Sequence, residues 1–380
     1  MDFELDQELT LVRDMARDFA QKELLPRAAK HDRQEHLDRE VFAKLTEVGL
    51  WGLTVPEEFG GSGLGNLALA SVLIELNRAC ASTGVTVSVH NSLVGAPLKR
   101  FGTKEQHKAW FPRLATGELI GAYCLTEPNA GSDAAALCTS AKQDGSDYVL
   151  DGTKIFVTNG NEAGLFIVYA RTDPAAPKAN GISAFLVPRD TPGLSIGKKE
   201  KKTGIRGSST TEVLFEGVRV PAANLLGEKN RGFQVAMDTL DGGRIGIAAQ
   251  AVGIGEACLA EAAKYAKQRQ QFNQPIANFQ AVQWKLADMS TQVEASRLLT
   301  LRAAWLRDKG EPCGLQAAQA KLFASRTANF CADEALQIHG GAGYTDHFPI
   351  ERLFRDARIT EIYEGATDIQ RIVIARKVLA

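Results

Sequence analysis

The feature that most limits the possible folds is a change of pattern along the 380-residue chain, from helical to strand-like and back to helical. In residues 1–118 the apolar side chains recur at helical spacing, first from Leu9 to Phe19, and we expect Pro26 to end that helix. Further helices are predicted around Val41–Val48, Leu67–Ala79 and Lys104–Leu114. Residues 1–118 are therefore predicted to form an all-helical domain.

Residues 119–228 have a different pattern, made of short runs rich in β-branched and aromatic residues. These runs are Tyr148–Leu150, Lys154–Thr158, Leu165–Ala170, Ile182–Val187 and Val213–Phe215. Gly, Pro, Asn and Asp separate them, and no helical pattern lies between them, which argues against β-α-β units. We predict a central antiparallel β-barrel or β-sandwich.

Helical spacing returns in residues 229–380, where we predict a first long helix from about Phe233 to Arg269. A second helix carries an apolar face made of Val282, Leu286, Met289 and Val293. A third carries a stripe of small residues at Ala317, Ala320, Ala324, Ala328, Cys331 and Ala335. Small side chains allow helices to approach closely, so this domain is predicted to be a four-helix bundle. The fold class is α+β multidomain, in the order α, β, α.

Composition narrows the classes of function. The 44 basic and 45 acidic residues give a net charge of -1, which does not predict nucleic-acid binding. Six cysteines without a C-x-x-C pair and six scattered histidines predict no metal site, no disulfide framework and a reducing compartment. The acidic start of the chain predicts no signal peptide, and we expect no membrane span.

Glu364 is the candidate catalytic residue. It stands between Tyr363 and Gly365; the glycine interrupts a helical pattern, and Thr367 is expected to cap the next helix. A carboxylate on such a turn in an apolar setting would have a raised pKa, as a general base near pH 7 requires. The alternative is a surface glutamate in a helix linker.

Other segments could bind a polar ligand. The loop Tyr123–Asp133 offers hydroxyls and backbone N–H groups, although it could be an ordinary capped turn. Phe156 and Thr158 share one face of a predicted strand, where an aromatic ring could cover a planar cofactor or belong to the core. Asp241–Arg244 places two costly glycines in a helix, and Gln337–Gly343 ends a helix in a loop rich in N–H groups.

Seven segments together resemble the acyl-CoA dehydrogenases, most closely their short-chain (butyryl-CoA) branch. They follow the family's order along almost the whole chain: Tyr123–Asp133, Lys154–Asn159, Gly204–Ser209, Leu240–Ile247, Tyr265–Gln280, Gln337–Tyr344 and Arg355–Gln370. The resemblance implies an FAD enzyme in which Glu364 removes the α-proton of an acyl-CoA thioester while hydride leaves the β-carbon. The backbone N–H of the base and a flavin hydroxyl would polarise the thioester carbonyl.

The resemblance also implies which residues bind each ligand. Those matching FAD contacts are Tyr123, Leu125, Thr126, Gly131, Ser132, Phe156, Val157, Thr158, Arg269, Phe272, Gln280, Gln337, Ile338, His339, Gly340, Gly341, Ala366, Thr367 and Asp368. Those matching substrate contacts are Ser132, Asp241, Arg244 and Gly365. His339 on its own is better explained as a structural or capping residue.

Some of the FAD contacts would come from a neighbouring subunit, so a homotetramer is implied. Electron-transferring flavoprotein would accept the electrons, in the bacterial cytoplasm or the mitochondrial matrix. Phe156 stands where most members carry Trp, and Gly243 lies where the isovaleryl branch carries its base. An acyl-CoA oxidase or flavin monooxygenase on the same scaffold, or a helical binding protein without catalysis, are the alternatives.

Overall fold

The computed structural model describes residues 6–380. Residues 1–5, which carry part of the acidic start considered above, lie outside the described residues. The N-terminal helices are α1 (Gln7–Phe19), α2 (Leu25–Gln34), α3 (Arg39–Glu47), α4 (Asn66–Ala79), α5 (Ala81–Ser88), α6 (Ala96–Phe101) and α7 (Lys104–Ala115). Two π-helical turns, Ala20–Leu24 and Val89–Gly95, join α1 to α2 and α5 to α6.

Pro26 does not end the first helical segment. It lies in the first turn of α2, directly after the π-helical turn Ala20–Leu24, and the segment continues to Gln34. Glu35 then adopts a left-handed conformation (φ 57°), which stops the helix. The prediction that Pro26 terminates the segment was therefore wrong, because proline is also favoured where a helix begins.

The central strands are β1 (Ile120–Cys124), β2 (Ser140–Asp144), β3 (Asp147–Thr158), β4 (Ala163–Arg171), β5 (Ile182–Pro188), β6 (Leu194–Lys199), β7 (Thr210–Pro221) and β8 (Leu225–Leu226). They form one sheet in the order β6-β7-β3-β2-β4-β5-β8, with β1 beside β4. Most neighbours are antiparallel, whereas β1 and β4 are parallel and β2 meets β4 through a single parallel pair, Ser140 with Arg171. Alternate residues of β3, β4, β5 and β7 point into an apolar core.

The C-terminal helices are α8 (Gly232–Gln268), α9 (Gln280–Asp308), α10 (Gly314–His339), α11 (Ile350–Arg358) and α12 (Thr367–Val378). The small-residue stripe of α10 is fully buried, as the spacing predicted. Two short strands, β9 (Gln270–Gln271) and β10 (Gln274–Pro275), form a hairpin between α8 and α9. The α, β, α order of the predicted fold class is confirmed.

Helix α8 is the central helix of the C-terminal part, and it packs against α4, α9 and α10. Its length and hydropathy would suffice to cross a membrane, but 83% of its most apolar window is buried inside the protein. It is also buried on nearly all sides from Gly242 to Cys258. A core helix has this character, since it must be apolar all round.

Candidate active site

Glu364 lies on the tight turn that leads into α12. Its φ is 52°, and the φ of the following Gly365 is 95°. A left-handed glutamate is uncommon and costs about 1–3 kcal/mol, so the surrounding structure must hold it in place. Thr367 does not cap α12, contrary to prediction: it is the first helical residue, Ala366 occupies the cap position, and the Thr367 hydroxyl donates to the Glu361 carbonyl.

The Glu364 carboxyl group is turned inward. The residue keeps some accessible surface, but its Oε2 atom is buried and, among residues 6–380, has no hydrogen-bond partner. Burial raises the pKa of Glu364 to about 7, although the positive charges of Lys321 and Arg244 act in the opposite direction. An inward carboxyl of this kind does not fit the alternative of a solvated linker residue.

Gly243 of α8 faces this carboxyl directly. A Cβ at position 243 would overlap Glu364 Oε2 and come within 2.8 Å of Leu93 Cδ2. Only a glycine allows the carboxyl to lie against the helix backbone, which explains why this helix carries a residue that weakens it. The neighbouring Gly242 faces Arg307 instead, with a built Cβ 3.3 Å from its Nε.

Arg244 and Tyr123 share the electrostatic environment of Glu364. The buried Arg244 donates to Asp241 Oδ1 over 2.6 Å, while its Nε is unpaired among residues 6–380. Burial raises the pKa of Tyr123 well above its usual value; the nearby Tyr169 and the charge of Glu364 add to the effect. The candidate base therefore lies near two predicted substrate residues, Asp241 and Arg244, and one predicted FAD residue, Tyr123.

A buried ion pair that sequence reasoning missed holds the loop after β1. Lys154 Nζ lies 2.7 Å from Glu127 Oε1 and donates to the Leu125 carbonyl over 3.1 Å. The two Glu127 oxygens also accept the backbone N–H groups of Cys138 and Thr139, at 2.6 and 2.9 Å. The only sequence signal was a lysine within an apolar strand, because its partner is 27 residues away.

Phe156 is displayed on the surface beside that loop. It has φ 55° at a bulge in the pairing of β3 with β7, and its side chain is 62% exposed. Val157 points into the core, whereas Thr158 is half-buried. A large apolar ring held outward by an irregular strand is better suited to covering a planar ligand than to filling the core.

The remaining loop residues differ in exposure. Thr126 is half-buried and Leu125 is buried, whereas Gly131 and Ser132 are exposed. A Cβ at Gly131 would meet no atom within 4 Å, so the backbone is open to a ligand there. At the Glu364 turn, Ala366 and Thr367 are half-buried and Asp368 is exposed.

A second group of predicted residues lies at the far end of α8. Arg269, Phe272 and Gln280 are exposed around the β9–β10 hairpin, with the Phe272 side chain 86% exposed. Rings of Tyr265 and His339 stack with centroids 4.2 Å apart and join the ends of α8 and α10. At the end of α10, Gln337, Gly340 and Gly341 are exposed, while Ile338 and His339 are buried.

The two groups are far apart within one chain. From Gly243 to Gln268 the helical rise gives roughly 37 Å along α8. Helix α8 therefore separates the Glu364 group from the Arg269 group, and one chain does not bring all of the predicted cofactor residues to a single place.

Comparison with known proteins matches these features over the whole chain. Family models of the acyl-CoA dehydrogenase N-terminal, middle and C-terminal domains match residues 6–118, 122–218 and 230–379. The chain belongs to the acyl-CoA dehydrogenase family. It is an oxidoreductase, and FAD is the cofactor of this family.

Similar proteins include short-chain enzymes. The mitochondrial short-chain specific acyl-CoA dehydrogenase of Bos taurus is 50% identical, over 99% of this chain and 91% of that protein. Butyryl-CoA dehydrogenase from Megasphaera elsdenii is 43% identical, with a TM-score of 0.98 and full coverage of both chains. A chain solved in work on the electron transferring flavoprotein of Acidaminococcus fermentans is 46% identical, also with a TM-score of 0.98 and full coverage.

The residues present fit FAD. The outward Phe156 offers a face for a flat ring system, and the open backbone at Gly131, Gly340 and Gly341 leaves room for a ligand to approach N–H groups. Arg269 adds a cation for a phosphate group. A binding protein without a cofactor would not require this exposed ring, open backbone and cation together.

Proposed function

We propose that this enzyme oxidises short-chain acyl-CoA thioesters to trans-2-enoyl-CoA, with Glu364 as the catalytic base. The observation that carries the proposal is the Glu364 carboxyl, whose Oε2 is buried and has no hydrogen-bond partner among residues 6–380, and whose pKa burial raises to about 7. A base of that pKa is half ionised at neutral pH and strong enough to take a weakly acidic proton.

The Glu364 carboxylate takes the pro-R α-proton, and the β-hydrogen leaves as hydride. FAD, when bound, supplies the acceptor for that hydride. Among residues 6–380, the backbone N–H of Glu364 donates no hydrogen bond, so it is free to bind the thioester carbonyl and stabilise the negative charge that develops there. The inward turn of the carboxyl keeps water away from the proton transfer.

The flavin end of FAD would be held by the loop after β1, the end of β3 and the start of α12. These residues are Tyr123, Leu125, Thr126, Gly131, Ser132, Phe156, Val157, Thr158 and Ala366–Asp368. Ser132, Asp241, Arg244 and Gly365 would bind the substrate. The residues around Arg269 and Gln337 would bind the other end of the cofactor of a neighbouring subunit, which the separation of roughly 37 Å along α8 supports. A homotetramer follows from this sharing.

Short acyl chains are supported by Leu93, whose Cδ2 would lie 2.8 Å from a Cβ at Gly243, the position that also faces Glu364 Oε2. The names of the bovine and Megasphaera relatives point the same way. We place the enzyme in fatty-acid or branched-chain amino-acid breakdown, in the bacterial cytoplasm or the mitochondrial matrix. Electron-transferring flavoprotein is the proposed acceptor.

Anaerobic titration of the flavin with acyl-CoAs of about four to twelve carbons tests the proposal. We expect bleaching by the shortest thioesters and a rate that falls with chain length. Glu364→Gln should keep FAD but bleach about 100-fold to 10,000-fold more slowly. Glu294→Gln, which changes an exposed carboxylate on α9, is the matched control and should bleach normally. Rapid bleaching by Glu364→Gln would refute the assignment of the base.

The next step of the same experiment distinguishes a dehydrogenase from an oxidase. After bleaching, the reduced enzyme is exposed to air and, in a second sample, to electron-transferring flavoprotein. A dehydrogenase reoxidises slowly in air and quickly with the protein acceptor. Fast reoxidation in air would indicate an oxidase.

A further inference from the structure

Lys321 is a fully buried lysine on α10 that reaches the turn carrying Glu364. Its side chain is 0% exposed, and its Nζ donates to the Gly365 carbonyl over 2.7 Å. Among residues 6–380 it forms no salt bridge within 4 Å. A buried ammonium is unfavourable unless its environment compensates for lost hydration, so a lysine here calls for an explanation beyond packing.

We propose that Lys321 is a positioning residue for Glu364: by holding the Gly365 carbonyl, it fixes the turn that presents the base to the reacting carbon. The inference rests on the proposed role of Glu364 and adds to it a residue from a different helix. Neither the motif around Glu364 nor its immediate neighbours contain this lysine.

The geometry of the turn is the first support. Glu364 and Gly365 both have positive φ, a conformation that their surroundings must maintain. Two donors converge on the Gly365 carbonyl: Lys321 Nζ from α10 and Gln370 Nε2 from α12, each at 2.7 Å. Gln370 also donates to the Glu364 carbonyl over 3.3 Å. The turn is thus fastened from two helices at once.

Charge is the second support. Arg244 on α8 and Lys321 on α10 supply the positive charges that lower the pKa of Glu364 against the effect of burial. Burial lowers the pKa of Lys321 itself to about 8, while Glu364 and Glu361 raise it and Arg244 lowers it. The charge of Glu364 also acts on Tyr123 and Tyr363: burial raises the pKa of each tyrosine, and Glu364 adds to the effect.

Lys321 has two roles at this turn, which can be tested separately. The hydrogen bond to Gly365 sets where the carboxyl points, and the positive charge sets how readily that carboxyl ionises. Gln370 shares the first role but carries no charge, so it provides a matched comparison in the same turn.

The test is the pH dependence of anaerobic flavin bleaching by butyryl-CoA in the FAD-loaded Lys321→Met, Lys321→Gln and Gln370→Met variants. Both lysine variants lose the positive charge, which should raise the pKa of Glu364. As the pH is lowered, the rate should therefore begin to fall at a pH about one unit higher than in the wild-type enzyme. Lys321→Met also loses the donor, and its maximal rate should drop about tenfold to a hundredfold. Lys321→Gln should lose less, since its amide can still donate.

Gln370→Met should lower the maximal rate without moving the pH at which it falls. The proposal is overturned if both FAD-loaded lysine variants keep the wild-type pH profile. It is also overturned if neither binds FAD while Gln370→Met does, because Lys321 would then be a general support of the fold. Rapid bleaching by Glu364→Gln would instead overturn the proposed base, independently of Lys321.

Discussion

At the scale of single residues, the site depends on one carboxyl group kept in an unfavourable place. Glu364 adopts a left-handed conformation, lies against the backbone at Gly243 and has a buried oxygen with no partner in the described part of the chain. Each feature costs stability, and together they give a carboxylate the pKa that a base requires near neutrality. Activity and stability should therefore conflict at this residue.

The first prediction concerns the stability of Glu364→Gln. The pKa of Glu364 is about 7 in the folded enzyme and about 4.5 when exposed, so the folded state binds the proton more tightly. Protonated Glu364 therefore contributes to the free energy of unfolding below pH 4.5, and this contribution is lost as the pH rises through 7. At pH 8, Glu364→Gln should be more stable by roughly 3 kcal/mol, and near pH 5 by much less. Urea denaturation at the two pH values measures this; equal differences at both would contradict it.

The second prediction concerns Gly243→Ala. Alanine favours a helix by about 1 kcal/mol over glycine, but here its methyl group would displace the Glu364 carboxyl and crowd Leu93. We expect FAD to remain bound while bleaching by butyryl-CoA slows at least about tenfold. Ala257→Gly, another exchange of alanine and glycine in α8, is the control. Wild-type bleaching rates in Gly243→Ala would show that the close approach is unimportant.

At the scale of elements, the loop between β1 and β2 is held by charge rather than by regular structure. The Lys154–Glu127 pair and its three backbone contacts connect this loop to β3. Burial raises the pKa of Glu127, but the Lys154 charge and the hydrogen bonds outweigh it, so the pKa stays below its usual value. We expect the predicted flavin contacts on this loop to depend on that pair.

The third prediction concerns Glu127→Gln. It leaves the Lys154 ammonium buried without a counter-charge, which costs about 3–5 kcal/mol. We expect lower stability in urea and weaker FAD binding, measured by the fluorescence of released flavin. Glu118→Gln, which breaks an exposed pair with Arg113, is the control and should change stability by less than about 1 kcal/mol. A similarly small change in Glu127→Gln would show that the Lys154–Glu127 pair does not hold the loop.

Element by element, the sequence predicted what carries a regular pattern. The long bundle helices and the strands rich in β-branched residues were predicted, but β1, β2, β6 and β8 were not, and neither was the β9–β10 hairpin. Strand β1 contains Gly121, and β2 is mostly exposed and polar, so neither shows alternation. Residues 81–95 form a helix and a π-helical turn buried on all sides, which removes the polar face that reveals helical spacing.

At the scale of the whole molecule, the parts of the site come from every domain. Glu364 is on the C-terminal segment, Leu93 on an N-terminal helical turn and Tyr123 on the first strand. The motif around Glu364 was visible in the sequence, as was the glycine pair of α8. Lys154 with Glu127 was not, and neither was Lys321, because contacts between distant segments leave no local pattern.

The fourth prediction concerns assembly. Arg269 and Phe272 lie roughly 37 Å along α8 from the Glu364 region, and a homotetramer would let them complete a neighbour's site. Sedimentation should give a mass about four times the 41.0 kDa of one chain. Arg269→Ala should weaken FAD binding at least about tenfold, since it removes a charge-assisted contact. A monomer that binds FAD tightly would contradict this arrangement.

Removal of the α-proton by Glu364 can be measured as hydrogen exchange at that carbon. Butyryl-CoA is incubated anaerobically in D2O with wild-type enzyme or Glu364→Gln, and deuterium at C2 is measured by mass spectrometry. We predict incorporation with the wild-type enzyme and a rate at least about 100-fold lower with the variant, although both bind FAD. Equal incorporation by the two proteins would show that another group takes the proton.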